Sequence, residues 1–154
     1  MTDLDRVLIQ SDDFDVAEQY KWLQADESSP GAIVTFTGLV RDYASNQQIT
    51  ALYIEHYPAM TEKSLRGIIV EARQRWRLQK VAVIHRVGQL AARQQIVFVG
   101  ISSAHRLDAF EAGQFIMDYL KVQAPFWKKE VAENGEYWVA AKGSDQQAAG
   151  KWQL

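Results

Sequence analysis

The chain contains no cysteine. Structural disulfides, Cys-type zinc sites and cysteine-ligated iron–sulfur clusters are therefore excluded. So is any thiol nucleophile or persulfide carried by this chain; if the reaction moves sulfur, the sulfur arrives on something else. The three histidines (His56, His85, His105) lie on separate segments, with no metal-ligand spacing. Neither a metal nor a cofactor is expected. Glycines form no GxGxxG or Walker pattern, and no GxSxG supports serine hydrolase chemistry. No apolar run approaches a membrane span. The N-terminus, Met1-Thr2-Asp3-Leu4-Asp5-Arg6, lacks the basic-then-apolar order of a signal peptide. With the missing cysteine, these features suit a cytoplasmic address.

A length of 154 residues fits a single domain, 1–154, with a sizeable core. Formal net charge is -2, so bulk charge does not announce a nucleic-acid binder, and any anion site must come from local clustering. Residues 25–31, ending in Pro30-Gly31, carry turn chemistry and separate a short N-terminal piece from the first strand, residues 32–37. Residues 42–48 are polar and predict a loop. A second strand is expected over 49–57, with Leu52, Ile54 and His56 on one face, ended by Pro58. Leu65, Ile68, Ile69, Ala72 and Trp76 recur at helical spacing. Strands follow over 81–87 and 96–101, with a turn-like segment over 88–95 between them. Ser102-Ser103 suggests a helix start, and the helix runs to about Val122 with Leu107, Phe110, Ile116, Met117 and Leu120 on its buried side. Pro125 blocks continuation. Residues 126–131 and 136–140 read as a hairpin around Asn134-Gly135, the strongest turn signal present. Strands and helices do not alternate strictly, so the expected class is α+β: a mixed, mainly antiparallel sheet with two principal amphipathic helices and a C-terminal hairpin.

Three cationic segments carry possible chemistry. In Ser103-Ala104-His105-Arg106, a helix N-terminus would add backbone N–H donors to an arginine suited to phosphate; a solvated first turn is the plainer reading. In Lys121-Val122-Gln123-Ala124-Pro125-Phe126-Trp127-Lys128-Lys129, Lys121 and Lys128 bracket a turn and could converge across it. Lys121 also sits where a helix C-terminus favours a cation in any protein, which argues for charge stabilisation over base catalysis. Lys129 should face away from Lys128, because strand neighbours alternate sides. In Phe36-Thr37-Gly38-Leu39-Val40-Arg41, a strand runs through glycine to an arginine that could equally be surface charge beside Asp42 or Glu55. Together Arg41, His105, Arg106, Lys121 and Lys128 could form one cationic pocket for a phosphorylated small molecule or a carboxylate terminus. Composition and spacing do not show that they converge.

Several segments, in order and nearly end to end, resemble the family of molybdopterin synthase large subunits (the MoaE family). They include Val34-Thr35-Phe36-Thr37-Gly38, Glu55-His56-Tyr57-Pro58, Met60-Thr61-Glu62-Lys63, Val83-Ile84-His85-Arg86-Val87-Gly88, Ser103-Ala104-His105-Arg106, the stretch from Phe110-Glu111-Ala112-Gly113-Gln114 to Tyr119-Leu120-Lys121, and Ala124-Pro125-Phe126-Trp127-Lys128-Lys129-Glu130. The tail Ser144-Asp145-Gln146-Gln147-Ala148-Ala149 also fits. The resemblance implies a hammerhead-like α+β fold and a sulfurtransferase that converts cyclic pyranopterin monophosphate into molybdopterin by installing a dithiolene. Sulfur would come as a thiocarboxylate on the C-terminal Gly-Gly of a small ubiquitin-like subunit, within a heterotetramer built on a large-subunit homodimer. Lys121 and Lys128 are then the expected catalytic residues. Arg41, His105, Arg106, Lys121, Lys128 and, more weakly, Lys129 would bind substrate, the His-Arg pair reaching the pocket from the neighbouring subunit. Leu39 departs from the family pattern, which expects a basic residue there. Two other readings compete: a non-catalytic module docking a protein C-terminus or phosphorylated ligand in the same pocket, and an enzyme acting on another phosphorylated metabolite without a carrier.

Overall fold

A computed structural model describes residues 3–25, 30–44, 47–139 and 143–153. The elements run β1 (Asp5–Gln10), α1 (Val16–Gln24), β2 (Ala32–Leu39), β3 (Tyr43–Ala44), β4 (Gln47–His56), α2 (Pro58–Arg75), β5 (Val81–Arg86), β6 (Gly88–Ala91), β7 (Gln95–Ser103), α3 (Arg106–Gln123), β8 (Phe126–Ala132), β9 (Gly135–Trp138) and α4 (Gly143–Gly150). Among the described residues the strands form two sheets. One has the order β1-β5-β7-β2, with β1 parallel to β5 and the other pairs antiparallel. The other is antiparallel, β3-β4-β8-β9, with β6 also on β4. The chain is α+β, as its sequence predicts.

Alternation along β5 explains the layering. Val81 and Val83 point to one face, where Leu65 and Ile69 of α2 and Phe115 and Ile116 of α3 cover them. Ala82 and Ile84 point to the other face, against Phe14, Leu23 and Phe98 beside α1. Asp15 starts α1, its carboxylate accepting from Ala17 N–H at 2.9 Å and Glu18 N–H at 3.3 Å. A third cluster, Val40, Leu52, Ile54 and Leu90, lies under the second sheet. The chain passes from the first sheet to the second between β5 and β6 at Gly88, whose φ of +85° strains any residue with a Cβ.

Several expectations need correction. Residues 88–95 hold strand β6, because β4 offers it an edge to pair with. Residues 42–48 include β3 and the start of β4; 45 and 46 lie outside the described residues, as do 26–29 of the first turn and Ala140 of the expected hairpin. Ser102 and Ser103 end β7 instead of capping α3. Ser103 Oγ donates to Arg77 C=O at 2.8 Å and Ser102 Oγ accepts from Lys80 N–H at 2.9 Å, so both hydroxyls tie down the α2–β5 connection. His105 takes the N-cap position, without a side-chain cap. Leu107 and Phe110 are not on the buried side of α3: they are 65% and 62% exposed, while Ala109, Ala112, Phe115, Ile116 and Leu120 are covered.

The C-terminal helix α4 packs on α3. Asp118, buried on α3, accepts from Gln114 Nε2 at 2.7 Å and from Trp152 Nε1 at 2.8 Å, with Lys151 Nζ at 3.8 Å. The Trp152 ring stands edge-on to Trp76 and Phe115. A second tie fixes the start of β8: the buried Thr61 hydroxyl accepts from Tyr57 N–H and donates to Pro125 C=O, both at 3.1 Å.

Candidate active site

Periodicity brings three elements to one cavity of about 530 Å³. On α3, Met117, Leu120 and Lys121 line it, the i, i+3, i+4 face of a helix. On β8, Phe126, Lys128 and Glu130 line it, the alternate residues of a strand. The third element is the end of β2 and the residues beyond it, from Phe36 to Arg41. Here the register shifts between Gly38 and Leu39, where the partner steps from Val97 to Gln95. A Cβ on Gly38 would come within 2.8 Å of Val97 Cγ1, so a side chain there would have to displace that of Val97. Beyond the shift, Val40 N–H donates to Gln94 C=O at 2.8 Å and Val40 C=O accepts from Arg93 N–H at 2.7 Å. Arg41 follows directly on this pinned backbone.

The expected cations therefore divide. Arg41, Lys121 and Lys128 come together around the cavity. His105 and Arg106 do not join them within one chain: both are exposed at the opposite end of α3. At 1.5 Å per residue, Lys121 is about 24 Å along the axis from His105. Lys129 lies on the other side of β8, paired with Glu136 at 3.1 Å and set against the rings of Tyr53 and Trp138.

Three titratable residues of the lining were not singled out from sequence. Glu130 shares the parity of Lys128, a signal the strand pattern contained. Asp145 stands at the start of α4, and His85 is the penultimate residue of β5. The lining thus has three basic side chains, Arg41, Lys121 and Lys128, against two acidic ones, Glu130 and Asp145. His85 adds no charge at neutral pH. Burial pushes its imidazole down to about 3; Lys128, and less strongly Lys121 and His56, push the same way, against the hydrogen bond to the Arg86 carbonyl. Its ring stacks on Phe126, centroids 3.8 Å apart and planes 17° from parallel. Leu39, 54% exposed, presents an apolar side chain at the rim. Among the described residues no group of three or more His, Asp or Glu side chains is arranged to hold a metal ion.

Such a cavity can bind an anion and stabilise negative charge developing on a bound reactant, since fixed ammonium and guanidinium groups in a walled space need little reorganisation. The model of the MoaE protein family matches residues 9–123. The chain is 54% identical over 147 residues to the molybdopterin synthase catalytic subunit of Escherichia coli (strain K12), covering 96% of this chain and 97% of that one. A molybdopterin biosynthesis MoaE protein from Burkholderia ambifaria MC40-6 superposes with a TM-score of 0.83 at 45% identity, covering 97% of this chain and 99% of that one. Molybdopterin synthase from Staphylococcus aureus superposes with a TM-score of 0.79 at 31% identity, covering 91% of this chain and 99% of that one.

Proposed function

Since the chain belongs to the MoaE protein family, we propose that it acts, as one domain, as the catalytic subunit of a molybdopterin synthase. The observation that carries this reading is the convergence of Arg41, Lys121 and Lys128, from three separate elements, on one cavity. A small ubiquitin-like partner brings sulfur as a thiocarboxylate on its C-terminal Gly-Gly, and cyclic pyranopterin monophosphate is the acceptor. This supply accounts for a sulfurtransferase without cysteine. The thiocarboxylate sulfur forms a C–S bond to a side-chain carbon of the pterin as a C–O bond of that carbon breaks, the oxygen leaving with the phosphate or as water, and an acyl thioester to the partner remains. Water then cleaves the acyl–sulfur bond, and the partner leaves as a carboxylate. Two such transfers make the dithiolene.

Lys121, in the last turn of α3, meets the entering thiocarboxylate. Lys128 stabilises charge on the thioester as water attacks, and Arg41 holds phosphate. His105 and Arg106, too far along α3 to serve their own cavity, serve that of a second copy, so the working unit is a homodimer with a carrier on each subunit. Lys129, engaged with Glu136, is at most an outer substrate contact. Among the described residues no helix is long and apolar enough to cross a membrane, and we place the reaction in the cytoplasm. Apolar Leu39 in the lining favours the second reading, a docking module without turnover.

Reconstitution separates the two. The protein is mixed with thiocarboxylated carrier and cyclic pyranopterin monophosphate, and molybdopterin is detected as its fluorescent oxidation product. Product that requires both proteins supports the synthase. Binding of an active cognate carrier without product leaves the docking module; product without any carrier would indicate a different enzyme.

A further inference from the structure

His85 is a buried titratable group that the sulfur-transfer steps leave without a role. It shares the parity of Val81 and Val83 on β5, which turns it toward the α3 side of the sheet. Its accessibility is 1%, yet it belongs to the cavity lining with Lys121 and Lys128. Nδ1 lies 2.8 Å from the Arg86 carbonyl oxygen. A carbonyl only accepts, so Nδ1 carries the proton and Nε2 keeps its lone pair. Phe126 covers one ring face. The groups acting on the ring are cationic or neutral: Lys128 from β8, Lys121 from α3 and His56 from β4. The cavity's other charges are Arg41, Glu130 and Asp145.

We propose that His85 is a positioning residue for Lys128, the stronger of its two cationic neighbours: with Nδ1–H fixed on the Arg86 carbonyl, the single lone pair of Nε2 serves as an uncharged acceptor that orients the Lys128 ammonium without neutralising it. A carboxylate in its place would orient that ammonium too, but would cancel charge that an anionic substrate needs. A protonated ring would lose the acceptor and add a cation beside the two lysines. Burial and the Phe126 stack oppose that state. The inference rests on the reading of Lys121 and Lys128 as the sulfur-transfer cations.

Two experiments test it. In the unaltered chain with 15N-labelled histidine, the His85 resonances should show Nδ1 protonated and Nε2 bare, unchanged from pH 5 to 8. The Nε2–H tautomer, or titration near the ordinary histidine value, would overturn the proposal. This measurement needs no turnover, so its outcome does not depend on whether sulfur transfer occurs. In the reconstituted reaction, His85→Leu should lower kcat about 10- to 100-fold with KM changed less than about threefold, the loss of a hydrogen bond to a charged group. His85→Gln, which keeps an acceptor, should recover most of that loss. A folded Leu variant with unaltered kcat, or Leu and Gln variants equally impaired, would refute the role. If the Leu variant does not fold, His85→Met takes its place with the same expectations. Absence of product from the unaltered protein with active carrier would instead strike the sulfur-transfer reading.

Discussion

The two ends of α3 present different kinds of surface. Its last turn is completed within one chain, where Lys121 meets Lys128 and Arg41 around a walled cavity. Its first turns are not: His105 and Arg106 are exposed, and beside them Leu107 and Phe110 stand 65% and 62% exposed. Large apolar side chains left uncovered next to cations suit a subunit contact better than a solvated face. On the proposed function, one helix of 18 residues, about 27 Å long, serves two cavities, one end its own and the other a neighbour's.

The largest effect expected from breaking this arrangement is at the completed end. Lys121→Ala should reduce molybdopterin formation by about a thousandfold, with dimer and thermal midpoint unchanged; near-normal turnover by a soluble dimeric variant would remove Lys121 from the chemistry. At the other end, Arg106→Ala should cost about a hundredfold. Mixing the Lys121 and Arg106 variants with subunit exchange should restore about a quarter of full activity, because half the dimers are mixed and each carries one intact cavity. No recovery in demonstrably mixed dimers would mean that each chain uses its own Arg106.

Leu107→Asp should leave the fold within about 0.5 kcal/mol of the original while sedimentation shows monomers and turnover falls in parallel. A fully active monomer would end the two-cavity picture.

The last effect is on acid stability. His85 is pushed from 6.5 down to about 3 in the folded chain. Between these values the unfolded chain binds the proton and the folded chain does not, so this contribution to stability is present above about pH 6.5 and lost as pH falls toward 3. Denaturant midpoints at pH 7 and pH 4 should converge in His85→Gln relative to the unaltered chain; an unchanged difference would exclude His85 as the source.

Local signals carried much of this architecture. Asn134-Gly135 marked the β8–β9 hairpin, Pro58 both ended β4 and opened α2, and the apolar spacing from Leu65 to Ala72 found α2. What sequence missed depends on distant partners. β1, in Asp5-Arg6-Val7-Leu8-Ile9-Gln10, buries only Val7 fully and is held by parallel pairing to β5. β6 exists because β4 lies beside it. Leu107 and Phe110 mislead because apolar spacing identifies a face without saying which molecule covers it. The same division holds at the cavity. Arg41, Lys121 and Lys128 stood out as cations in suggestive local contexts. His85 follows the apolar run Val81 to Ile84 of β5, and nothing near it in the chain indicates that α3 and β8 bring lysines to it.

The carboxylate of Asp118 has a practical consequence for anyone handling the protein. Two of its three neighbours, Lys151 and Trp152, lie past α4, and α4 begins beside Asp145 in the cavity lining. A protease nick after Gly150, or a bulky affinity label that draws these residues away, would strand a buried negative charge with Gln114 alone and loosen one wall of the cavity. Labels and surface tethers belong at the other terminus, and proteolytic trimming at this one should be followed by mass spectrometry before any loss of turnover is blamed on the lysines.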